Sequence, residues 1–241
     1  DEAAAASAAL EGWNPERWST LEAMRVALLL VLPELDGLAG EQALEEAFRY
    51  ADDGELCALY RSLALWPNPE RFSWRAAEGC RTNIVPVFEA VALDTPYPVK
   101  CFDDVAWRQA AIKAIFIDAP LWRMWGLDTR LSPELARMAL DLADERRSAH
   151  RCVQHELWLC LGPHGGERGL ESLEQELGSS NTLGRRAAAY GLARAGAGER
   201  LRALLSEESD AEVAEAMRDA LAGNTSQEAF RALDPTLQGA S

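Results

Sequence analysis

The sequence predicts an all-α protein whose last third forms a HEAT-like α-α superhelix, and three observations support that prediction. Helix-capping residues and prolines that mark helix starts and ends recur along the 241 residues. Alternating runs of Val, Ile and Thr, which are typical of strands, are missing. The alanine-rich segment Ala187–Gly196 recurs as Ala214–Gly223, with the leucine-rich stretch Arg200–Leu205 between the two copies. This alternation is typical of stacked helical pairs.

The N-terminal region consists of short predicted helices separated by polar breaks. Ser19 and Glu22 form a capping box, in which a hydroxyl and a carboxylate three residues apart satisfy the free N–H groups of a helix start. Met24, Leu28 and Val31 share one face of this helix. The first three helices are expected to end near Leu32, Tyr50 and Trp66.

A long helix with an internal proline is predicted next. Pro69 is placed as a first-turn proline and opens a helix toward Leu93. Pro86 lies inside this helix and is expected to kink it, because it removes a backbone hydrogen bond and frees the carbonyl of Thr82. A free carbonyl at a kink favours a polar pocket beside it.

Polar side chains around the expected kink form a candidate ligand pocket. Arg81, Asn83 and Glu89 lie on this helix, and Trp107 and Lys113 lie on the next one. In an enzyme or ligand-binding domain, Arg81 and Lys113 would hold an anion, Asn83 would orient it and Glu89 would act as a base. The alternative is that these charges are satisfied by pairing or by solvent, and that the tryptophan is core.

The later helices are marked by their caps. Asp103 or Asp104 caps a helix through Ile117, and Asp118–Pro120 starts a short helix ending at Gly126. The remaining expected starts are Ser132, Asn181 and Asp210. The helices become small and repetitive from about Gly166. We expect residues 1–150 to form one helical domain and residues 151–241 to form repeats packed onto it, as one continuous solenoid.

All three histidines lie close together and suggest a second alternative, a zinc site. His150, Cys152 and His155 are the candidate ligands, and Cys160 and His164 follow them in the sequence. Their spacing matches no known zinc finger or protease motif, and Cys160 is turned away from His155 on a helix. Solvent-facing histidines and core cysteines are the alternative reading. No cofactor motif is present.

The composition limits the classes of partner. Asp and Glu number 39 against 24 Lys and Arg, a net charge of −15 that disfavours nucleic acid and anionic lipid. No apolar run approaches the roughly 20 residues of a membrane span. Asp1–Leu10 lacks the basic and apolar regions of a signal peptide, and the five irregularly spaced cysteines are typical of free thiols. A cytoplasmic protein is expected; the oligomeric state stays open.

The stretch from Trp18 to Arg147 resembles the EboA family. The densest similarity is Cys80–Ala90, CRTNIVPVFEA. The motifs that accompany it are Arg17–Ser19 with Arg25 and the leucine run after it, Pro69–Phe72, Pro96–Pro98, Trp107, Lys113–Phe116, Gly126–Asp128 and Asp144–Arg147. The resemblance implies a bacterial gene cluster of secondary metabolism that makes or moves isoprenoid-like precursors. It supplies no reaction for this component.

Together these observations favour a non-enzymatic cytoplasmic factor that binds a partner protein from the same gene cluster, an isoprenoid-like precursor, or both. The enzyme or ligand-binding domain at Pro86 and the zinc-binding protein remain the two alternatives.

Overall fold

The computed structural model describes residues 9–238, and this part of the chain is helical without strands. The all-α prediction is therefore confirmed for the described residues. Every helix within them is too short or too polar to cross a bilayer. The N-terminal stretch assessed above for a signal peptide lies largely outside the described residues.

The chain divides into two compact units, the first extending to Ala119 with Arg123–Gly126 added, and the second comprising Pro120–Trp122 and the residues from Leu127 onward. The first unit contains α1 Thr20–Leu30, α2 Leu38–Tyr50, α3 Asp53–Ser62, α4 Ser73–Gly79, α5 Val85–Ala92, α6 Tyr97–Cys101 and α7 Asp104–Phe116. The second contains α8 Pro133–Ser148, α9 Gly166–Leu177, α10 Thr182–Arg194, α11 Gly198–Leu205, α12 Ala211–Leu221 and α13 Pro235–Gln238.

The helix starts follow the caps that the sequence indicates. Ser19 accepts a hydrogen bond from the Glu22 N–H while the Glu22 carboxylate accepts one from the Ser19 N–H, so the predicted capping box is present. Asp103 and Ser132 cap α7 and α8 through their side chains. Asp210 does the same for α12. Each cap satisfies N–H groups that the helix itself leaves free.

The long kinked helix expected from Pro69 to Leu93 is a wrong prediction. A 3₁₀ turn, Pro69–Phe72, leads into α4, which ends at Gly79. A new helix, α5, then begins at Val85, with Pro86 in its first turn. Proline fits there because a first-turn residue has no intrahelical partner for an N–H. Pro86 therefore starts a helix instead of kinking one.

Aromatic contacts organise the core of the first unit. The rings of Phe48 and Tyr60 lie 5.0 Å apart, and those of Trp66 and Phe72 are also 5.0 Å apart in an edge-on arrangement. α3 lies centrally and packs against α1 and α5. α1 buries only Val26, which leaves much of its apolar surface in solvent.

In the second unit, α10 packs closely against α9 and α12. A Cβ atom added to Gly191 would lie 2.5 Å from Cδ2 of Leu173, so glycine is what permits this approach of α10 to α9. Ala187, Ala188 and Ala189 are fully buried on α10. The small residues act as the sequence suggests. The HEAT-like superhelix, like the division at residue 150, stays a prediction.

Buried polar groups tie distant parts of the second unit together. The Trp122 indole N–H donates to Asp234 over 3.0 Å, and the Trp122 backbone N–H donates to Glu156 over 3.1 Å. Arg147 reaches across to Ser172 and to Glu176, at 2.7 Å and 3.3 Å. Burial raises the pKa of Glu176, although the guanidinium of Arg147 opposes that shift.

Candidate functional site

Three of the five predicted pocket residues come together between α4 and α7. Lys113 Nζ donates to Asn83 Oδ1 over 2.6 Å, and Lys113 and Arg81 line one cleft of about 290 Å³. Asn83 lies in the turn that separates α4 from α5, so the break at Gly79 is what brings it to Lys113. Arg81 is largely exposed and pairs with Glu78 on its own side of the cleft.

Glu89 and Trp107 do not line this cleft, which corrects the predicted set. The Glu89 carboxylate accepts from Arg123 Nη1 over 3.0 Å, and the same guanidinium binds Asp94 through Nε at 3.0 Å. This carboxylate is therefore engaged away from the cleft. Trp107 is 1% exposed and belongs to the core. The cleft therefore has cations and an amide but lacks the expected base.

The residues of the histidine window lie in different local environments. His150 and Cys152 are exposed, and the chain between α8 and the 3₁₀ helix His155–Cys160 is not helical, so the shared helical face is absent. His155 Nε2 lies 3.7 Å from a carboxylate oxygen of buried Glu156, and Cys160 is fully buried. Within residues 9–238, no three His, Cys, Asp or Glu side chains are grouped to hold a metal ion.

A larger groove, which sequence reasoning missed, lies between α1, α2 and α3 and encloses about 410 Å³. One wall consists of Leu28 and Leu29 on α1 and of Leu32 just past the end of that helix, and the floor on α3 consists of Ala58 and Leu59. The remaining lining residues are Arg25, Ala47, Tyr50, Ala51 and Glu55. The surface is aliphatic apart from one cation, one phenol and one carboxylate.

The apolar face that the sequence predicts for α1 is largely in solvent. Met24, Leu28 and Val31 share a face as expected, but they are 59%, 66% and 76% exposed. The signal that could have revealed this is the run VALLLVL, which makes the helix apolar on nearly all sides. A helix that has protein on one side and solvent on the other cannot bury every such residue. Part of the run must therefore face solvent or a ligand.

Arg25 is the polar feature that distinguishes the groove. It is half-buried, and within the described residues it has no hydrogen bond or ion pair. Its Nη1 lies over the first turn of α3, where a Cβ atom on Gly54 would approach it to 2.9 Å. The nearby carboxylates of Asp52 and Glu55 are engaged in the capping box of α3. The guanidinium therefore faces the groove without a partner.

Comparison with known proteins identifies the N-terminal two-thirds of the chain. The family model described as metabolite traffic protein EboA matches residues 1–162. No curated protein and no solved structure shows a significant match to the chain. The matched region contains both the cleft at Lys113 and the groove at Arg25.

Proposed function

The chain belongs to the family of the metabolite traffic protein EboA, and from this premise we propose that it is a non-enzymatic cytoplasmic protein that binds a mainly apolar, isoprenoid-like metabolite and passes it to other proteins of the same bacterial secondary-metabolite gene cluster. The observation that supports this proposal is the aliphatic groove between α1, α2 and α3. A carrier needs a site that holds its cargo without transforming it.

The groove has the size and chemistry of a small-molecule site. Its volume of about 410 Å³ lies within the roughly 300–1,000 Å³ of typical ligand pockets. Each CH₂ group of a hydrocarbon chain that leaves water contributes about 0.8 kcal/mol. The branched side chains of Leu28, Leu29 and Leu32 offer such a chain a continuous apolar wall.

Exposure of the wall supports an occupant rather than a packing defect. Leu28 is 66% exposed and Tyr50 is 72% exposed, although both line the groove. Large apolar side chains grouped in solvent are typical of interaction sites in folded proteins. A bound hydrocarbon chain would cover the inner side of both residues.

Calorimetric titration of the full chain with farnesol, a neutral isoprenoid alcohol, tests the proposal. We expect saturable binding that Leu28→Asp weakens at least about tenfold, because a carboxylate would replace the aliphatic wall. Leu21→Asp is the matched control, since Leu21 is a 56% exposed leucine of the same helix outside the groove. Absence of binding, or equal effects of both substitutions, would refute the groove as the cargo site.

We also propose that the repeat-like region binds the partner protein. We propose that α9 to α12 stack as HEAT-like pairs and that residues 151–241 support the family domain of residues 1–150. The close packing of α10 on α9 and α12 supports this arrangement. Co-purification of the chain with the products of neighbouring genes, followed by extraction of bound metabolite, tests it; retention by none of them would count against it.

The cleft at Lys113 supports a second candidate, a ligand-binding site for a small anion. Two cations, Arg81 and Lys113, line one cleft of a chain whose net charge is −15. Asn83 holds the ammonium group at 2.6 Å. Titration with inorganic phosphate, followed by NMR, should shift amide signals around α4 and α7, and Lys113→Met should remove the shifts. Unchanged shifts in Lys113→Met would exclude this site.

A further inference from the structure

We propose that the groove selects a hydrocarbon chain ending in a single negative charge, such as an isoprenoid carboxylate, and that Arg25 binds this head group. This inference rests on the proposed function, because it assigns the head-group chemistry of the cargo in the same groove. It commits to an acid rather than to the neutral alcohol or the diphosphate.

The Arg25 side chain is suited to bind a carboxylate. A guanidinium presents several N–H donors in a planar fork that matches the two oxygens of a carboxylate. Arg25 is half-buried beside aliphatic side chains, yet no described residue accepts a hydrogen bond from it or pairs with its charge. Of the other half-buried arginines of the first unit, Arg71 and Arg75 are paired with glutamates.

Arg25 is also placed where the head group of a bound chain would lie. The backbone of Gly54 leaves room for Nη1 above the first turn of α3, next to Glu55 in the sequence, and Arg25 and Glu55 both line the groove. Leu28 and Leu29 follow Arg25 on α1 by three and four residues, so they lie on its side of the helix, and Leu32 lies just past the helix end. A chain lying along these leucines would therefore carry its head group to the guanidinium.

The charged side chains around Arg25 disfavour a diphosphate head group. Arg25 is the sole cation among the groove-lining residues, and Glu55 is among them. Asp52 and Asp53 lie just beyond on the same turn. One guanidinium balances one carboxylate, whereas the additional charges of a diphosphate would face these acidic side chains without a cation or a metal ion.

The experiment compares three ligands that share one chain: farnesoic acid, farnesol and farnesyl diphosphate. Each is titrated calorimetrically into the full chain at pH 7 in buffer containing EDTA. Because a hydrogen bond to a charged group is worth enough to change affinity about tenfold, we expect the acid to bind about tenfold more tightly than the alcohol. The diphosphate should bind no more tightly than the acid.

The variants separate the head group from the chain. Arg25→Met should lower the affinity for the acid to that for the alcohol and leave farnesol binding unchanged, which also shows that the variant is folded. Arg108→Met is the control, since Arg108 is a half-buried arginine on α7 without a described partner and does not line the groove. It should change nothing.

The outcomes distinguish the two proposals. If farnesol binds in a manner sensitive to Leu28→Asp but the acid shows no preference that depends on Arg25, the head-group inference is overturned and the cargo groove stands. If the diphosphate binds most tightly, the inference is also overturned. If none of the three ligands binds, both proposals fail.

Discussion

Arg61 on α3 donates from Nε to Oε1 of Glu22 on α1 over 2.9 Å, while the other carboxylate oxygen of Glu22 closes the capping box with Ser19. The side chains of Arg61 and Glu22 are 9% and 17% exposed. One carboxylate thus fixes the start of α1 and its position on α3. Since α1 forms a wall of the groove and α3 its floor, this ion pair joins two of the helices that line the groove.

Replacing Glu22 by Gln should destabilise the protein by about 1–3 kcal/mol, because it breaks a partly buried charged hydrogen bond and weakens the cap. The free energy of unfolding from urea denaturation, followed by circular dichroism, measures the change. Ser206→Ala is a control, since its hydroxyl bonds only to the Ala203 carbonyl at an exposed helix end.

The loss at Glu22 should depend on pH. Burial alone would raise the pKa of Glu22, but the hydrogen bonds from Ser19 and the charge of Arg61 outweigh it and hold the pKa below its ordinary value of 4.5. A carboxylate with a lower pKa in the folded state contributes stability above its unfolded pKa and loses it as the pH falls through the folded pKa. The difference between the wild type and Glu22→Gln should thus be constant above about pH 5.5 and shrink below pH 4.5. A difference that grew on acidification would contradict this assignment.

Arg123→Met should be among the most damaging substitutions in the first unit. The Arg123 side chain is 4% exposed and neutralises Glu89 and the almost buried Asp94. Its removal leaves the almost buried carboxylate of Asp94 and the partly exposed one of Glu89 without a counterion, at a cost of about 3–5 kcal/mol. Arg123→Lys should recover only part of this, since one ammonium cannot replace the separate contacts of Nε and Nη1.

The control for Arg123 is Arg137→Met on α8. Arg137 pairs with Glu134 and Asp141 on its own exposed helix face, where ion pairs contribute little. Urea midpoints of the variants measure the contrast. Equal shifts for Arg123→Met and Arg137→Met would show that the buried cluster does not stabilise the fold.

Two glycines should respond to alanine with opposite signs. At Gly191 the new methyl group would lie 2.5 Å from Cδ2 of fully buried Leu173 and 3.3 Å from Cβ of Trp158. Overpacking costs about 1–3 kcal/mol, which exceeds the roughly 1 kcal/mol that alanine gains over glycine in a helix. Gly191→Ala should therefore lower the melting temperature.

Gly169→Ala supplies the matched comparison within α9. The nearest atom to an added Cβ is Leu161 Cδ1 at 3.7 Å, an ordinary contact. The substitution should stabilise the protein by about 0.5–1 kcal/mol. Thermal unfolding of both variants provides the measurement; a stabilised Gly191→Ala would mean that α9 and α10 are less tightly packed than described.

The five cysteines should differ widely in reactivity toward iodoacetamide. Cys152 is exposed, whereas Cys80 and Cys160 are buried and burial raises the pKa of each thiol to about 12. Alkylation requires an accessible thiolate. Mass spectrometry of the native protein at pH 8 should show modification of Cys152 first, while Cys80 and Cys160 react only after unfolding. Early labelling of Cys160 would place it outside the core.

The features that the sequence predicted correctly are mostly local. Ser19, Asp103, Ser132 and Asp210 each cap the helix expected of them, because a cap involves residues two or three positions apart. Pro86 was misassigned because proline is compatible with both a first turn and a kinked interior. The decisive difference, the end of α4 at Gly79, lies seven residues earlier.

The candidate sites were predictable only in part, because they depend on contacts between distant residues. Asn83 and Lys113 were both named, and the 2.6 Å hydrogen bond joins them across 30 residues. Glu89 was misplaced because its partner, Arg123, is 34 residues away and has no local signature. The groove escaped notice since the sequence of α1 is apolar on several faces, and only its packing on α3 decides which face is left open.

The hydrogen bond from Trp122 to Asp234 implies that the family region depends on the residues that follow it. The family region ends at residue 162, yet Trp122 and Arg147 within it complete their buried hydrogen bonds with Asp234 and Glu176 beyond it. A gene shortened at the family boundary would encode a tryptophan and an arginine deprived of their acceptors. The family region thus needs the last third of the chain. We expect the two segments to be retained or lost together in evolution, and to be expressed together.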